Sequence, residues 1–423
     1  MRSVAEHQRV IRDLLAPLAN REPLAVTGLG PAALAQFRDY HRVLATAVVS
    51  PIDLPPFDNS QMDGYAVRAA DVVPGRSLTV AAPVAAGSGP RTHRPGEATP
   101  IMTGAPIPRG ADAVIPIEAA TPAHFPQASH AGSARPATVR FDRMPQPGAY
   151  IRPRGSDVAE GTELVHAGRT LGPAQWGIVA ASGVTTLDFV RPVHVLLIST
   201  GDELRPSGEP LQPGQIYDAN GMALAIALTE CHATLESVLV TNDDLDTARA
   251  MLSEHAPWAD LVVTTGGVSA GIYEVARDLF EASGVVFDSV AMQPGGPQGC
   301  GTASLFDPLG VAFEVPVISF PGNPVSALVS FEMFLRPVLR ELHGLPPRRR
   351  TWRAPLAADL DSPEGKHQVR RGRMDATGAV ELVGGPSSHL LHGYASSTLL
   401  VHVPVGVSHL AAGDTVDVWS IDD

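Results

Sequence analysis

Basic side chains are scarce in this 423-residue sequence, and the scarcity limits which partners it can bind. Lys366 is the single lysine, and lysine and arginine together number 31 against 44 aspartate and glutamate residues. The formal net charge is therefore −13 at pH 7. Proteins bind nucleic acid by neutralising its phosphates with basic surfaces, so the sequence predicts no nucleic-acid partner. A bound phosphate would depend on arginine, backbone N–H groups or a divalent cation.

Cysteine and long apolar runs are also nearly missing. Cys231 and Cys300 are the two cysteines, and no CxxC pair occurs, which argues against a disulfide framework and a zinc–thiolate site. No apolar run reaches the ~20 residues needed to cross a bilayer. The first residues lack the continuous apolar core of a signal peptide. We therefore expect a cytoplasmic protein with no membrane span.

Strand and helix patterns alternate from about residue 193 to 344, which predicts a parallel sheet with helices on both faces. Apolar periodicity over residues 5–20 predicts an amphipathic helix. Short strands among many prolines and glycines, from residue 67 to about 150, predict a small inserted β-module. Short strands beyond residue 351 predict a C-terminal β-barrel. The expected fold class is therefore α/β and multidomain.

Three predicted strands end in small polar residues, and these ends are candidates for a binding site. Leu261–Thr265 ends in two glycines, the strand that begins at Val193 ends before a carboxylate pair, and the strand at Val317 ends in a Pro-Gly-Asn turn. Ligands of open α/β sheets bind beyond the carboxyl ends of the strands. Helix N-termini next to such turns favour anions. The sequence therefore predicts one polar rim that is compatible with phosphate.

Carboxylates gather at predicted turns, as at Asp63, Asp157, Glu203 and Asp243. A single turn aspartate most often forms an Asx-turn or caps a helix. Several that converge would instead form an oxygen site for Mg²⁺, which takes one or two carboxylates together with substrate phosphate. The residues alone leave both interpretations open.

A competing motif favours hydrolysis. Residues 267–271 match the G-x-S-x-G nucleophile elbow in a strand–turn–helix context. Ser269 would be the nucleophile and His343 the base. However, His343 lies at the end of a long predicted helix, and no HGGG-type oxyanion motif precedes the elbow. A serine hydrolase is therefore the third hypothesis for the function.

Six motifs in a fixed order carry a resemblance that covers essentially the whole chain. They are Phe57–Ala66 (FDNSQMDGYA), Ile101–Pro106 (IMTGAP), Arg152–Asp157 (RPRGSD), Ser199–Leu204 (STGDEL), Thr265–Ser269 (TGGVS) and Pro321–Ala327 (PGNPVSA). Together they resemble the MoeA family, the molybdopterin molybdenumtransferases related to the gephyrin E domain. Single glycine motifs would be unspecific, whereas the ordered set is highly specific.

The resemblance implies an activity and an architecture. The activity is insertion of molybdate into adenylylated molybdopterin, with Mg²⁺-dependent release of AMP. The architecture is a homodimer whose active cleft lies between two subunits, with four domains in each chain. These are an elongated N-terminal helical/β domain (1–48 and 146–186), an inserted β-module (49–145), a MogA-like α/β domain that binds molybdopterin (187–344) and a C-terminal β-barrel (345–423).

The resemblance also implies roles for individual residues. Asp63, Glu203 and Asp243 would be catalytic, and Glu203 and Asp243 would hold Mg²⁺. Substrate-binding positions would be distributed over the modules: Thr103, Asp157, Gly266, Gly267, Ser269, Glu274, Pro321, Gly322, Asn323, Arg371 and Ser388.

The sequence departs from the family pattern near one of these motifs. Gln293 and Gly296 stand where the family usually has two lysines, and Glu274 stands where it usually has aspartate. A charge-assisted hydrogen bond contributes roughly 1.5–3 kcal/mol, so the two neutral positions predict weaker anion binding. They motivate the second hypothesis, a catalytically weakened dimeric scaffold of the gephyrin-like type. Its partner would be a molybdopterin adenylyltransferase or another protein client.

Overall fold

The computed structural model describes residues 1–29, 42–89, 91–125, 137–241, 245–268 and 275–422; for 237–241 it describes the backbone alone. The chain divides into two compact units. The larger unit comprises Met1–Leu24, His41–Ala45 and Asp188–Asp423. The smaller unit comprises Ala25–Tyr40 and Thr46–Leu187. The strands Leu24–Thr27 and Thr186–Phe189 lie where the chain passes from one unit to the other.

A six-stranded sheet forms the centre of the larger unit. Its first four strands pair in parallel, and the last two join through antiparallel pairs. The predicted α/β sheet is therefore confirmed, although the complete sheet is mixed. In spatial order its strands are Thr234–Thr241, His194–Thr200, Leu261–Thr265, Ala312–Phe320, Pro297–Phe306 and Val285–Ser289.

Alternate residues of the central strands pack on opposite faces of this sheet, because successive side chains of a strand point in opposite directions. Val195 and Leu197 belong to one apolar cluster, and Leu196 and Ile198 belong to another. Helices supply further members of each cluster, so both faces are covered. They are Ala219–Glu230 and Pro324–Ser330 on the first face, and Leu245–His255 and Val275–Phe280 on the second.

Two helical segments contribute to the apolar cluster on the first face. The N-terminal helix Val4–Leu15 begins with a capping box, in which Ser3 Oγ accepts from the Glu6 N–H and the Glu6 carboxylate accepts from the Ser3 N–H. The second segment starts with Pro324 in the first helical turn, where a missing N–H costs nothing. It runs through Pro324–Ser330, a π-turn at Phe331–Leu335, and Arg336–Leu342.

The C-terminal strands form a nearly closed, barrel-like sheet, as the sequence predicts. One edge strand, Met292–Gln293, comes from the α/β region and pairs in parallel with His367–Met374. The chain after the predicted boundary at residue 345 therefore does not supply the whole sheet. The further strands are Leu399–Val403, Thr415–Ser420, Thr351–Pro355 and Val380–Leu382, with Leu360–Asp361 and His409–Leu410 as a separate pair.

Short elements complete the larger unit. They are the 3₁₀ turns Ala16–Asn20, Ala256–Trp258 and Glu281–Ser283, the paired strands Leu204–Arg205 and Ile216–Tyr217, and the helix Leu391–Ala395.

The smaller unit is built mainly of β-structure around one six-stranded sheet. Tyr65 and Phe141 are fully buried in its core. The strands of this sheet, in spatial order, are Ala113–Pro116, Gly64–Val67, Glu97–Ile101, Ser77–Val80, Thr138–Phe141 and Ala120–Thr121. The remaining elements are the strands Val48–Val49, Asn59–Ser60, Ile151–Arg152 and Glu163–Val165, the 3₁₀ turns Ala69–Asp71 and Ile117–Ala119, and the helix Pro173–Ala181.

Candidate active site

The three strand ends singled out in the sequence lie side by side in the larger unit. Thr265 pairs with Phe320 on one side and with Ser199 on the other. The Gly266 N–H donates to the Phe320 carbonyl oxygen at 3.0 Å, and Thr200 Oγ1 donates to the Thr265 carbonyl oxygen at 3.4 Å. The structure thus brings Gly266, Gly267 and Pro321–Asn323 to one edge of the sheet, which we call the strand-end rim.

Two glycines let backbones approach closely at this rim. Gly266 has φ +94°, and a Cβ there would lie 2.6 Å from the Thr200 carbonyl oxygen. A Cβ on Gly322 would lie 3.3 Å from the Cα of Gly266. The turns therefore approach each other through their main chains; a Cβ at Gly266 would force a shift, and one at Gly322 would make a tight contact.

Asn220 joins two of the turns, and the sequence interpretation missed it. Its Nδ2 donates to Thr265 Oγ1 at 2.8 Å and to the Gly322 carbonyl oxygen at 2.7 Å. Asn220 lies in the first turn of Ala219–Glu230, which the Asp218 carboxylate caps by accepting from the Gly221 N–H at 2.9 Å. An asparagine just after a helix cap was the available signal, but the residue it reaches lies 102 positions away.

Glu203 lies on the exposed loop that follows the strand His194–Thr200. Its carboxylate folds back over Gly201, because a Cβ on that glycine would lie 2.6–2.8 Å from the carboxylate atoms. An exposed carboxylate beside a phosphate-compatible rim fits the donor set of Mg²⁺, which uses one or two carboxylates and completes its shell with phosphate and water. Of the predicted site residues, Asp243, Ser269 and Glu274 lie outside the described residues.

Within the described ranges, no group of three or more His, Cys, Asp and Glu side chains could hold a metal ion without further ligands. Asp243 and Glu274 lie outside the residues to which this finding applies.

Arg371 is a buried cation with unused donors. Its side chain is 0% exposed, and Nη2 donates to the carbonyl oxygens of Gly385 and, at 3.2 Å, Ser387. Nε and Nη1 have no hydrogen-bond partner among the described residues. Burial lowers the pKa of Arg371, and the neighbouring Arg370 charge lowers it further. A guanidinium remains protonated in proteins, so this position carries positive charge and free N–H groups that an anion would satisfy.

The loop whose carbonyl oxygens accept hydrogen bonds from Arg371 is also hydrogen-bonded to the helix that starts at the strand-end rim. The Ser388 carbonyl oxygen accepts from the Val325 N–H at 3.0 Å. Asn323 precedes this helix, and its side chain makes no capping hydrogen bond. The predicted residues Asn323, Arg371 and Ser388, from the α/β region and the C-terminal region, are thus connected through this loop.

The turn that lacks the family lysines packs against the same helix. A Cβ on Gly295 would lie 2.8 Å from Ser330 Oγ and 3.4 Å from the Ser326 carbonyl oxygen. Gln293 Oε1 accepts from Gln368 Nε2 at 2.8 Å, and Gln368 is buried. The neutral side chain at position 293 therefore has a defined partner in the C-terminal sheet.

The predicted residues of the smaller unit include a tight pair. Asp63 Oδ1 accepts from the Thr103 N–H at 2.6 Å and from Thr103 Oγ1 at 2.7 Å. These hydrogen bonds, the backbone one first, lower the pKa of Asp63. Asp157 is exposed, and its N–H donates to the Leu54 carbonyl oxygen at 3.0 Å. Asp63 and Asp157 are therefore both exposed carboxylates on loops of this unit.

His343, the base required by the hydrolase hypothesis, has a structural role. It is buried, and its Nε2 accepts from the Val193 N–H at 2.9 Å. Burial lowers the pKa of His343 to about 4. The nitrogen that a hydrolytic base would use is occupied by the backbone, which counts against that hypothesis.

Glycine turns, a strand-end rim and a buried arginine with free donors define a class: α/β proteins that bind anionic ligands beyond their strand ends. None of the described helices has both the length and the apolar character needed to cross a lipid bilayer.

Comparison with known proteins identifies the group within this class. The family profiles "MoeA N-terminal region (domain I and II)", "Probable molybdopterin binding domain" and "MoeA C-terminal region (domain IV)" match residues 2–183, 196–341 and 353–421. Molybdopterin molybdenumtransferase 2 of Mycobacterium tuberculosis is 42% identical over 436 residues, covering 100% of both chains. Molybdopterin molybdenumtransferase of Haemophilus influenzae is 32% identical over 391 residues, covering 89% of this chain and 91% of the relative.

The fold comparison agrees with the sequence comparison. The crystal structure of a molybdopterin biosynthesis MoeA protein from Pyrococcus horikoshii superposes with a TM-score of 0.73 at 28% identity, covering 97% of this chain and 98% of that one. The chain therefore belongs to the MoeA family of molybdopterin molybdenumtransferases.

Proposed function

We propose that the protein inserts molybdate into adenylylated molybdopterin and releases AMP in a Mg²⁺-dependent reaction of molybdenum cofactor biosynthesis. The names of its relatives support a molybdenumtransferase. Both substrates are anions, and they require an anion site on a protein of net charge −13.

Arg371 is the observation that carries the proposal. A buried guanidinium with two unpartnered N–H donors (Nε and Nη1, among the residues described) is costly unless a ligand satisfies it. Molybdate is a compact dianion whose oxygens accept hydrogen bonds from such a fork. Ser388 and the helix start at Pro324 lie beside the same loop and complete the binding position.

The strand-end rim would bind the phosphates of the adenylylated substrate. Gly266, Gly267 and Gly322 permit close backbone approach, so main-chain N–H groups can act where lysine is absent. Glu203 and Asp243 would hold Mg²⁺, which supplies charge neutralisation for phosphate oxygens during cleavage of the linkage to AMP. Asn220 keeps the two glycine turns in register through its two hydrogen bonds.

Asp63 serves the same reaction from the smaller unit. The hydrogen bonds from Thr103 keep its carboxylate ionised and oriented. We propose a cytoplasmic homodimer with the four-domain division inferred from the sequence, in which Asp63 and Glu203 of one site come from different subunits. Asp157 would contribute a second carboxylate from the smaller unit.

An AMP-release assay with adenylylated molybdopterin, Mg²⁺ and molybdate or tungstate tests the activity. We expect AMP release from the wild type and none from Glu203→Gln. Glu209→Gln is the matched control, because it removes an exposed carboxylate from the same loop region. If the wild type released no AMP with any divalent metal, the proposed molybdate-insertion activity would be ruled out.

Subunit mixing tests the shared site. Asp63→Asn and Glu203→Gln homodimers are each expected to be inactive. A mixed dimer has one site with both changes and one site with neither, so mixing and reassociation should restore activity. If both residues of a site came from one chain, mixing would restore nothing.

The dimeric scaffold is the second candidate, and the neutral Gln293–Gln368 pair is the observation that favours it. A scaffold would form its dimer and bind a protein client, such as the adenylyltransferase, without releasing AMP. Normal dimer formation together with an inactive wild type would support it.

A further inference from the structure

A cleft of the larger unit that lies away from the strand-end rim is bordered mainly by cationic side chains. The cleft has a volume of 430 Å³. It is bordered by the N-terminal helix, the helical segment Phe331–Leu342, the segment before Thr351, and Trp419. One acidic residue, Glu332, faces five arginines in this arginine cleft: Arg9, Arg12, Arg336, Arg348 and Arg349.

Buried residues at the base of the arginine cleft leave an excess of positive charge. Glu332 accepts from Arg349 Nη2 at 2.8 Å, and Arg336 Nε lies 3.6 Å from its second oxygen. All three side chains are 7% exposed. Burial lowers the pKa of Arg336, yet a guanidinium keeps its proton. One carboxylate therefore faces two buried cations.

The mouth of the cleft adds cations that are available to a ligand. Arg9 and Arg348 are exposed, and neither forms an ion pair with a described residue. Arg12 lies 3.6 Å from Glu341, an exposed pair that contributes little by itself. Arg9 also interacts electrostatically with the exposed Glu6, but neither its guanidinium nor that of Arg348 is held in a close ion pair with a described residue, so both are available to an anion.

We propose that the arginine cleft binds a phosphorylated small molecule. Guanidinium forks match two phosphate oxygens at once, and Arg9 and Arg348 would supply them. Phe334, Pro337 and Trp419 give the cleft an apolar wall for the organic part of the ligand. The volume lies within the roughly 300–1,000 Å³ typical of small-molecule sites, which favours a small molecule over an extended acidic peptide.

The arginine cleft lies away from the start of the helical segment at the strand-end rim. Arg336 follows Pro324 by twelve residues, or about 18 Å at the helical rise per residue. Binding there can be measured without the substrates of the reaction, and it does not depend on the proposed activity.

Calorimetric titration of the full-length protein with inorganic pyrophosphate tests the proposal. We expect saturable binding to the wild type and at least about a tenfold increase in Kd for the double variant Arg9→Gln/Arg348→Gln. Both side chains are exposed, so the variant should fold, and its thermal midpoint checks this. Arg353→Gln is the matched control, because Arg353 is exposed, lies outside the cleft and contacts Asp417 at 3.6 Å. Its Kd should equal that of the wild type.

Four results would overturn the proposal. They are no heat of binding with the wild type, an unchanged Kd in the double variant, equal weakening by Arg353→Gln, or binding of a polyglutamate peptide in place of pyrophosphate. The second result would assign pyrophosphate to another site such as the strand-end rim. The third would reduce the effect to overall charge, and the fourth would make the cleft a peptide site.

Discussion

The amide of Asn220 donates to the Gly322 carbonyl oxygen at 2.7 Å while it also holds the hydroxyl of Thr265. One side chain from the start of a helix thus fixes the ends of two neighbouring strands. Because both strand ends belong to the strand-end rim, its geometry depends on a residue outside the glycine motifs.

Asn220→Ala should separate the two turns. Loss of one partly buried and one exposed hydrogen bond should lower the free energy of unfolding by about 1–3 kcal/mol. Misplacement of the phosphate-binding turns should lower kcat/KM by roughly tenfold or more. Chemical denaturation and AMP-release kinetics measure the two effects. Gln61→Ala removes one exposed hydrogen bond from an amide to a carbonyl oxygen and should leave the free energy of unfolding and kcat/KM nearly unchanged. If it lowered them as much as Asn220→Ala, the role assigned to Asn220 would be contradicted.

Arg371→Met should abolish anion binding without destabilising the free protein. The wild type should gain about 2.7 kcal/mol of stability at molybdate concentrations of 100 Kd, and the variant should gain none. Without molybdate, the thermal midpoint should stay equal or rise, because an uncompensated buried charge is removed.

Arg373→Met is the control for this variant, because Arg373 lies on the same strand but is exposed and paired with Glu381 at 2.9 Å. It should keep the full stabilisation by molybdate. Normal stabilisation of Arg371→Met would show that the oxyanion binds elsewhere.

Gly266→Ala should destabilise the rim. A residue other than glycine at φ +94° costs about 1–3 kcal/mol, and the new Cβ would also lie 2.6 Å from the Thr200 carbonyl oxygen. Gly177→Ala is the opposite control, because that helical position has open space and alanine there should stabilise by about 0.5–1 kcal/mol. Urea denaturation measures both changes, and a stable Gly266→Ala protein would contradict the observed packing.

Acid should destabilise the protein through His402. Burial and, to a lesser extent, the nearby His367, whose Nε2 lies 3.0 Å from His402 Nδ1, together lower the pKa of His402 to about 3. An unfolded histidine titrates near 6.5, so between these pH values the unfolded chain binds a proton that the folded chain does not. The stability contributed by neutral His402 is therefore complete above pH ~6.5 and is lost as pH falls toward 3, by up to about 1.4 kcal/mol per pH unit.

His402→Phe should reduce this slope, as measured by denaturation at several pH values. His409→Gln should not reduce it, because the exposed His409 has a pKa raised by its hydrogen bond to Asp361. His7 and His343, whose pKa values burial also lowers to about 4, should keep a residual slope in the His402 variant. An unchanged slope in His402→Phe would contradict the assignment.

Local patterns predicted the parts of the site that depend on local chemistry. β-Branched runs that end in glycine gave the strands and turns at Thr200, Thr265 and Phe320, because strand propensity and turn chemistry act over a few residues. The ordered motifs contain Asp63 and Thr103, whereas Arg371 lies outside them and was a candidate through the family resemblance alone.

The contacts that complete the site join distant parts of the chain. Gln293 and Gln368 are separated by 75 residues, and Asn220 and Gly322 by 102. No periodicity indicates which of many polar residues will meet across a fold. The burial of Arg371 was hidden for the same reason, because its strand reads as a basic, exposed segment.

Because the strand Met292–Gln293 belongs to the C-terminal sheet, a fragment that begins at the proposed boundary, residue 345, would be incomplete. A fragment beginning there would lack the neighbour of His367 and Gln368 and would present bare peptide groups along that side. Unpaired strand edges invite association with other chains. A chimera that exchanges the C-terminal module between relatives would therefore have to include residues 292–293. Without them, the chimera is expected to aggregate through the unpaired strand edge.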